Sequence, residues 1–212
     1  MSKPVIDART ALIVIDVQND FCPGGSLAVA GGDEIAPLVN ELGRRFATVV
    51  LTQDWHPAGH SSFASSHPGK VPFETIAMPY GTQVLWPEHC VQGSAGAAFH
   101  SGLDLSIAQA VIRKGCRREV DSYSGFVEAD RTTPTGLAGY LKERGIARVV
   151  VAGLATDFCV NWTAQDAARH GFETIVIEEA CRAIDLDGSL DRAWAEMTAL
   201  GVRRAGLADL AD

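Results

Sequence analysis

Residues 148–159 read RVVVAGLATDFC, and the class of the fold turns on them. Arg148–Val151 is near-continuously apolar instead of alternating, the pattern of a β-strand covered on both faces. It runs through a turn of small residues into a helix predicted over Asp157–His170, which Gly171 stops. Working outward, the same strand pattern recurs at Thr10–Ile15 (TALIVI), Thr48–Leu51 (TVVL) and Thr174–Ile177 (TIVI). Ala110–Ile112 (AVI) and Val202–Arg204 are shorter strands. Between them lie amphipathic helices at Ile35–Phe46, Pro134–Arg144 and Ser189–Leu200. In the second of these Thr133 is expected as N-cap, Pro134 at the first helical position and Gly145 just past the end. Strands alternating with helices through short connections predict an α/β domain. Its six-stranded sheet is mainly parallel, with right-handed crossovers and helices on both faces.

The 212 residues fit one such domain, 1–212, since domains commonly run ~100–200 residues. Lys+Arg number 18 against 26 Asp+Glu, a formal net charge of −8, with no basic run. That disfavours nucleic acid or an anionic membrane as partner and favours a small-molecule enzyme. The apolar runs are strand-sized, far short of the ~18 residues of a membrane span, and MSKPVIDART lacks the apolar core of a signal peptide. Five widely spaced cysteines with no Cys-x-x-Cys pair are a poor disulfide framework, so a reducing cytoplasm and free thiols are expected. One stretch breaks the rhythm: Trp55–Ser106, rich in Gly, Pro, Ser and His, is an insertion between the second and third strands. Loops beyond ~12–15 residues in a compact domain are usually functional or disordered.

In an open parallel sheet, ligands bind beyond the carboxyl ends of the strands. Strand 1 ends on Asp16, strand 2 on Asp54 followed by His56, and strand 3 on Lys114. Strand 4 leads to Cys159 in the first turn of a helix, where unpaired N–H groups and the helix dipole favour a thiolate. A thiolate needs a cation or base beside it, roles open to Lys114 and Asp16. Taken singly, each has a plainer reading. Free cysteines are often buried for packing, strand-end aspartates cap turns, and lysines are mostly solvated. Their arrival at one sheet edge is what gives them weight together.

Asp54-x-His56 offers carboxylate oxygen and imidazole nitrogen on one side of an extended segment, a donor set for zinc, iron or manganese. His89 in WPEHC is the best third ligand; the competing reading is of histidines solvated in a polar loop. Phe21 and Trp86 can sandwich a flat ring and Tyr123 can close the pocket, although aromatics serve cores more often.

DVQNDF (16–21), TQDWHP (52–57), WPEHCVQGSAGAAFH (86–100), KG (114–115), YSGF (123–126) and GLATDFCV (153–160) together resemble the motifs of nicotinamidases, within the isochorismatase-like cysteine hydrolases. The resemblance spans residue 10 to about residue 180. It implies a doubly wound α/β fold and a Cys159–Asp16–Lys114 triad. It also implies one divalent metal ion on Asp54, His56 and His89, and Phe21 and Trp86 flanking the ring of a small amide substrate. The N–H groups of Ala155 and Cys159 would form the oxyanion hole, with a cis peptide before Ala155. The implied reaction is deamidation of nicotinamide, and of pyrazinamide, in NAD salvage. Some relatives add a histidine from the same loop as a fourth ligand, for which His60 is the candidate. A homo-oligomer is possible.

The rival within the superfamily is a metal-independent amidohydrolase for a ureido or carbamoyl substrate, expected to lack the DWH and WPEHC combination present here. A thiol redox protein would need a resolving cysteine near Cys159, and a catalytically silent binding domain would have lost part of the triad.

Overall fold

The computed structural model describes Pro4 and residues 6–211. Its strands are β1 (Thr10–Ile15), β2 (Thr48–Asp54), β3 (Thr75–Met78), β4 (Gly81–Val84), β5 (Ala110–Lys114), β6 (Arg148–Leu154), β7 (Glu173–Arg182) and β8 (Arg203–Ala205). Its α-helices are α1 (Ile35–Gly43), α2 (Leu137–Glu143), α3 (Asn161–Arg169) and α4 (Ser189–Ala199). Among the described residues six strands form one sheet in the order β5-β2-β1-β6-β7-β8, every neighbouring pair parallel. The chain leaves β1 in one direction through β2 and β5, and returns to its other side at β6. The strand order therefore reverses between β1 and β6, where such sheets open a crevice at their carboxyl ends.

The near-continuous apolar strands divide their side chains between two cores. Leu12, Val14, Leu51, Val150 and Ile175 face α1 through its Ile35, Val39 and Leu42. Their chain neighbours Ile13, Ile15, Val50, Val149 and Val176 face α2, α3 and α4 through Leu137, Leu141, Ala164, Ala193 and Met197. Each fully buried Val, Leu or Ile contributes roughly 1.5–3 kcal/mol, so both faces lock the strand register. Gly153 has a reason of its own. A Cβ there would lie 2.2 Å from the Ile15 carbonyl oxygen, and φ is +128°. Only glycine lets β6 come this close to the end of β1, where Asp16 leaves the sheet at φ +48°.

Three elements depart from the sequence expectation. The helix read over Pro134–Arg144 begins only at Leu137, because Gly136 turns left-handed at φ +100°. Pro134 instead pairs with Val127, Thr135 N–H donates to the Phe126 carbonyl at 3.0 Å, and the Thr135 hydroxyl, not Thr133, accepts the Leu137 N–H at 3.2 Å. The helix read over Asp157–His170 opens with a wide π-turn, Thr156–Val160, before α3 starts. The insertion contains the antiparallel β3–β4 hairpin, which carries no alternating apolar signal because most of it faces solvent. Smaller shifts are ordinary end effects: α1 stops at Gly43 instead of Phe46, and β2, β6 and β7 run longer than read. No helix among the described residues is long and apolar enough to cross a membrane.

Candidate active site

Asp16 follows β1, and its carboxylate is aimed by Thr52 of β2. The Thr52 hydroxyl donates to Asp16 Oδ1 at 2.6 Å and accepts the Asp16 N–H at 3.2 Å. Lys114, the last residue of β5, is wholly buried. Its Nζ lies 2.9 Å from Asp16 Oδ2, donates to Asp54 Oδ1 and to the Ser122 carbonyl at 2.9 Å, and stands 3.4 Å from Cys159 Sγ. Cys159 is 5% exposed on the π-turn after β6. Four strand ends thus bring carboxylate, ammonium and thiol within hydrogen-bond reach.

These charges set one another. Burial opposes the Lys114 charge, but Asp16, Asp54 and Cys159 outweigh it and hold the ammonium well above the usual lysine range. Burial pushes the Asp16 carboxyl up against the pull of Lys114, whereas Lys114 and then His56 overcome burial at Asp54 and hold it well below the carboxylate range. Burial drives the Cys159 thiol well above its ordinary value; Lys114 opposes this while Asp16 and Asp54 add to it. Protein groups alone therefore leave a neutral thiol beside a proton acceptor.

Asp54, His56 and His89 present ligand atoms within 4.8 Å of one another. Asp54 Oδ2 is 3.5 Å from His56 Nε2 and 3.8 Å from His89 Nε2. Each ring is held by its other nitrogen: His56 Nδ1 by the Gly115 carbonyl at 3.0 Å, His89 Nδ1 by the Pro87 carbonyl at 2.8 Å. That outer bond fixes the tautomer whose Nε2 lone pair faces inward, as metal-ligating histidines require. Burial, then the charge of His56, pushes His89 down to about 4, which keeps the His89 lone pair free at neutral pH. At His56 burial is outweighed by the Asp54 carboxylate, which raises that ring, so it must give up a proton to bind a cation. Gly115 completes the cradle, since a Cβ there would stand 2.4 Å from His56 Cε1. The donor set fits a borderline divalent cation.

His60 packs against His56 with ring centroids 4.3 Å apart, and both of its nitrogens are occupied. Nδ1 accepts the Ser62 N–H at 3.3 Å and pairs with the Ser62 hydroxyl at 2.7 Å, while Nε2 faces the Val120 carbonyl at 3.2 Å. With Nδ1 accepting, Nε2 carries the proton toward Val120, and His56, His60 and Asp121 form a second group whose ligand atoms lie within 4.8 Å of one another.

One crevice is lined by Phe21, Asp54, Trp86, His89, Tyr123, Ala155 and Cys159, so the ring-flanking, metal and nucleophile residues read from the sequence meet around a single space. The Trp86 indole donates to the Tyr123 hydroxyl at 3.0 Å, which joins two of its walls. The bond between Leu154 and Ala155 is cis. Leu27, Asp121, Phe158 and Ile184 also line the crevice and were not singled out in the sequence. Phe158, next to Cys159 in GLATDFC, could have been found by adjacency; Ile184 arrives from beyond β7 with no local signal. A wider groove along β5, lined by Trp55, Phe99 and Arg113 among others, shares none of these residues.

The model of the isochorismatase domain matches residues 10–209. The chain belongs to the isochorismatase family. Within that family it is 63% identical to a nicotinamidase of Acinetobacter baylyi over 194 residues, 92% of this chain and 91% of the relative. The solved nicotinamidase/pyrazinamidase of Acinetobacter baumanii superposes with a TM-score of 0.95 at 59% identity, covering 96% of this chain and 98% of that one. A pyrazinamidase of Pyrococcus horikoshii, solved in complex with zinc, superposes with a TM-score of 0.77 at 38% identity, covering 94% and 99%.

Proposed function

We propose that this member of the isochorismatase family hydrolyses nicotinamide to nicotinate and ammonia through a thioester on Cys159, and accepts pyrazinamide as well. The observation that carries the reading is the position of the Lys114 ammonium, in contact with Asp16, Asp54 and Cys159 Sγ where the crevice meets the sheet. The identity to curated nicotinamidases supports the substrate. The zinc-bound pyrazinamidase and the three converging donors support a divalent metal on Asp54, His56 and His89. When bound, that ion supplies a Lewis-acid contact for the ring nitrogen of a pyridine or pyrazine, which orients the ring.

The protein's own groups carry the chemistry. Asp16 takes the thiol proton of Cys159, and Lys114 beside both stabilises the thiolate. The sulfur attacks the carboxamide carbon, placing negative charge on the amide oxygen. The N–H groups of Ala155 and Cys159 are the donors assigned to that oxygen, each worth about 10²–10³ in rate in comparable sites. Asp16 returns its proton to the leaving nitrogen, and ammonia departs as the carbonyl re-forms. A water, deprotonated by Asp16, then cleaves the thioester; nicotinate forms and the thiol is restored. Phe21 and Trp86 hold the ring flat between them, and Tyr123 braces Trp86. A cytoplasmic setting suits five free cysteines and NAD salvage.

The test is ammonia release from nicotinamide before and after exhaustive metal removal, with metal analysis of the same sample. Loss of activity on stripping and return on adding zinc, iron or manganese is expected. Full activity of the stripped protein would instead favour a metal-independent amidohydrolase.

A further inference from the structure

The segment that leaves β1 does more than carry Asp16. Gln18 is wholly buried, and its side-chain amide grips the main chain of Asp54 from both sides. Its Nε2 donates to the Asp54 carbonyl at 2.9 Å, and its Oε1 accepts the Asp54 N–H at 2.8 Å. The second Nε2 proton goes to the Ala97 carbonyl at 2.9 Å. Every hydrogen-bonding position of this glutamine but one lone pair is therefore used, and two of them on one metal-ligand residue.

Two residues on, Asp20 does the same for the other ligands. Its Oδ2 accepts the Cys90 N–H at 2.7 Å, where Cys90 sits at φ +47°, a left-handed conformation that a non-glycine residue rarely adopts. The carbonyl of that same Cys90 accepts the His56 N–H at 3.0 Å. One carboxylate thus holds the residue whose N–H lies in the peptide that follows His89 and whose carbonyl tethers His56. The Asp20 N–H donates to the Gly96 carbonyl at 3.0 Å, and a Cβ on Gly96 would stand 2.0 Å from Asp20 Oδ2, so the carboxylate is packed as well as bonded.

We propose that Gln18 and Asp20 are positioning residues of the metal centre: Gln18 sets the backbone of Asp54, and Asp20 sets Cys90, the residue that links the peptide after His89 to His56. The inference rests on the reading that Asp54, His56 and His89 hold a divalent ion. The three ligands come from the end of β2 and from two separate points of a long insertion. Within the insertion His56 is bridged to Val91, its N–H donating to the Cys90 carbonyl and its carbonyl accepting the Gln92 N–H at 2.9 Å. The Gln18 and Asp20 bonds anchor that bridge and Asp54 to the β1 exit. Outer partners of metal ligands typically cost 10–100-fold in metal affinity when removed.

The experiment measures zinc affinity by competition with a chromophoric chelator, alongside the thermal midpoint of the metal-free proteins. Gln18→Ala and Asp20→Ala are each expected to weaken zinc binding about 10–100-fold. Asp20→Asn, which keeps an acceptor for Cys90 N–H but turns its NH2 toward the Ser26 N–H that Oδ1 accepts at 3.2 Å, is expected to recover part of the loss. Gln53→Ala is the control. Gln53 is also buried on β2 and also donates to Ala97, at 2.9 Å, but it touches no ligand's backbone bonds, so its loss should leave zinc affinity unchanged. Should an alanine variant fail to fold, Gln18→Glu, which loses the amide donors, and Asp20→Leu, which loses both acceptors at similar volume, carry the comparison, and the cobalt(II) absorption spectrum of each reports a distorted ligand field. Zinc affinity within about twofold of wild type in the folded Gln18→Ala or Gln18→Glu and Asp20→Ala or Asp20→Leu variants overturns the inference alone. A wild-type protein that binds no zinc, iron or manganese overturns the metal reading together with it.

Discussion

Two ion clusters on this protein look alike on paper and differ in every physical respect. Asp166 on α3 is 1% exposed and is met by Arg131 through two guanidinium contacts and by Arg169 at 3.0 Å. Those arginine side chains remain 39% and 46% exposed, so water shares their charge. Lys114 is 0% exposed, and the two carboxylates and the sulfur around it are buried with it. Removing several charges from water costs several kcal/mol per ion, which mutual attraction only partly offsets. The first arrangement ties a helix to a loop. The second spends stability on groups with displaced proton affinities, the signature of reactive sites. Location agrees, for the costly cluster lies at the carboxyl ends of β1, β2, β5 and β6, the crevice edge of the sheet.

Breaking the dry cluster should cost activity first. Asp16→Asn and Lys114→Met are expected to lower kcat on nicotinamide by about 10³-fold or more, with nearly native circular dichroism. Activity within an order of magnitude of wild type in either variant would show that the cluster is not the reaction centre. Next in size is the metal arm: His89→Ala or Asp54→Ala should lower metal content and raise KM by about 10–100-fold, and unchanged metal occupancy in both would contradict the ligand set. The charge coupling itself can be read from alkylation. Burial raises the Cys159 thiol and Lys114 pulls it back, so removing the ammonium must raise it further. The pH at which iodoacetamide inactivates Lys114→Met should therefore shift upward; a downward shift would reverse the assigned sign. The wet cluster gives the smallest effect on function. Asp166→Asn should cost roughly 1–3 kcal/mol of stability in urea melts while kcat stays within about twofold. A large loss of kcat there would erase the contrast between the two clusters.

How much of this was legible in the sequence follows from the same contrast. The sheet strands were readable because burial on both faces demands unbroken apolar runs such as TALIVI and RVVV, which few other structures tolerate. Their ends were readable because the topology sends every carboxyl terminus to one edge, so Asp16, Asp54, Lys114 and Cys159 could be aligned without knowing the loops. Where side chains face solvent, that constraint vanishes. The β3–β4 hairpin went unread for this reason, and the start of α2 was misplaced because Gly136 in the left-handed region overrode the propensity of Pro134 to open a helix. Asp121 and Ile184 reach the crevice through tertiary folding alone, whereas Phe158 follows from its place beside Cys159. Gln18 and Asp20 sat in plain view in DVQNDF, yet what they hold, backbone far along the chain, leaves no local trace.

The most direct test of covalent catalysis at the dry cluster compares wild type with Cys159→Ala at matched metal content, following ammonia from nicotinamide. With the sulfur as nucleophile, the variant releases none above background while its fold and metal occupancy are unchanged. Ammonia released by the variant at a rate comparable to wild type would contradict the account at its centre.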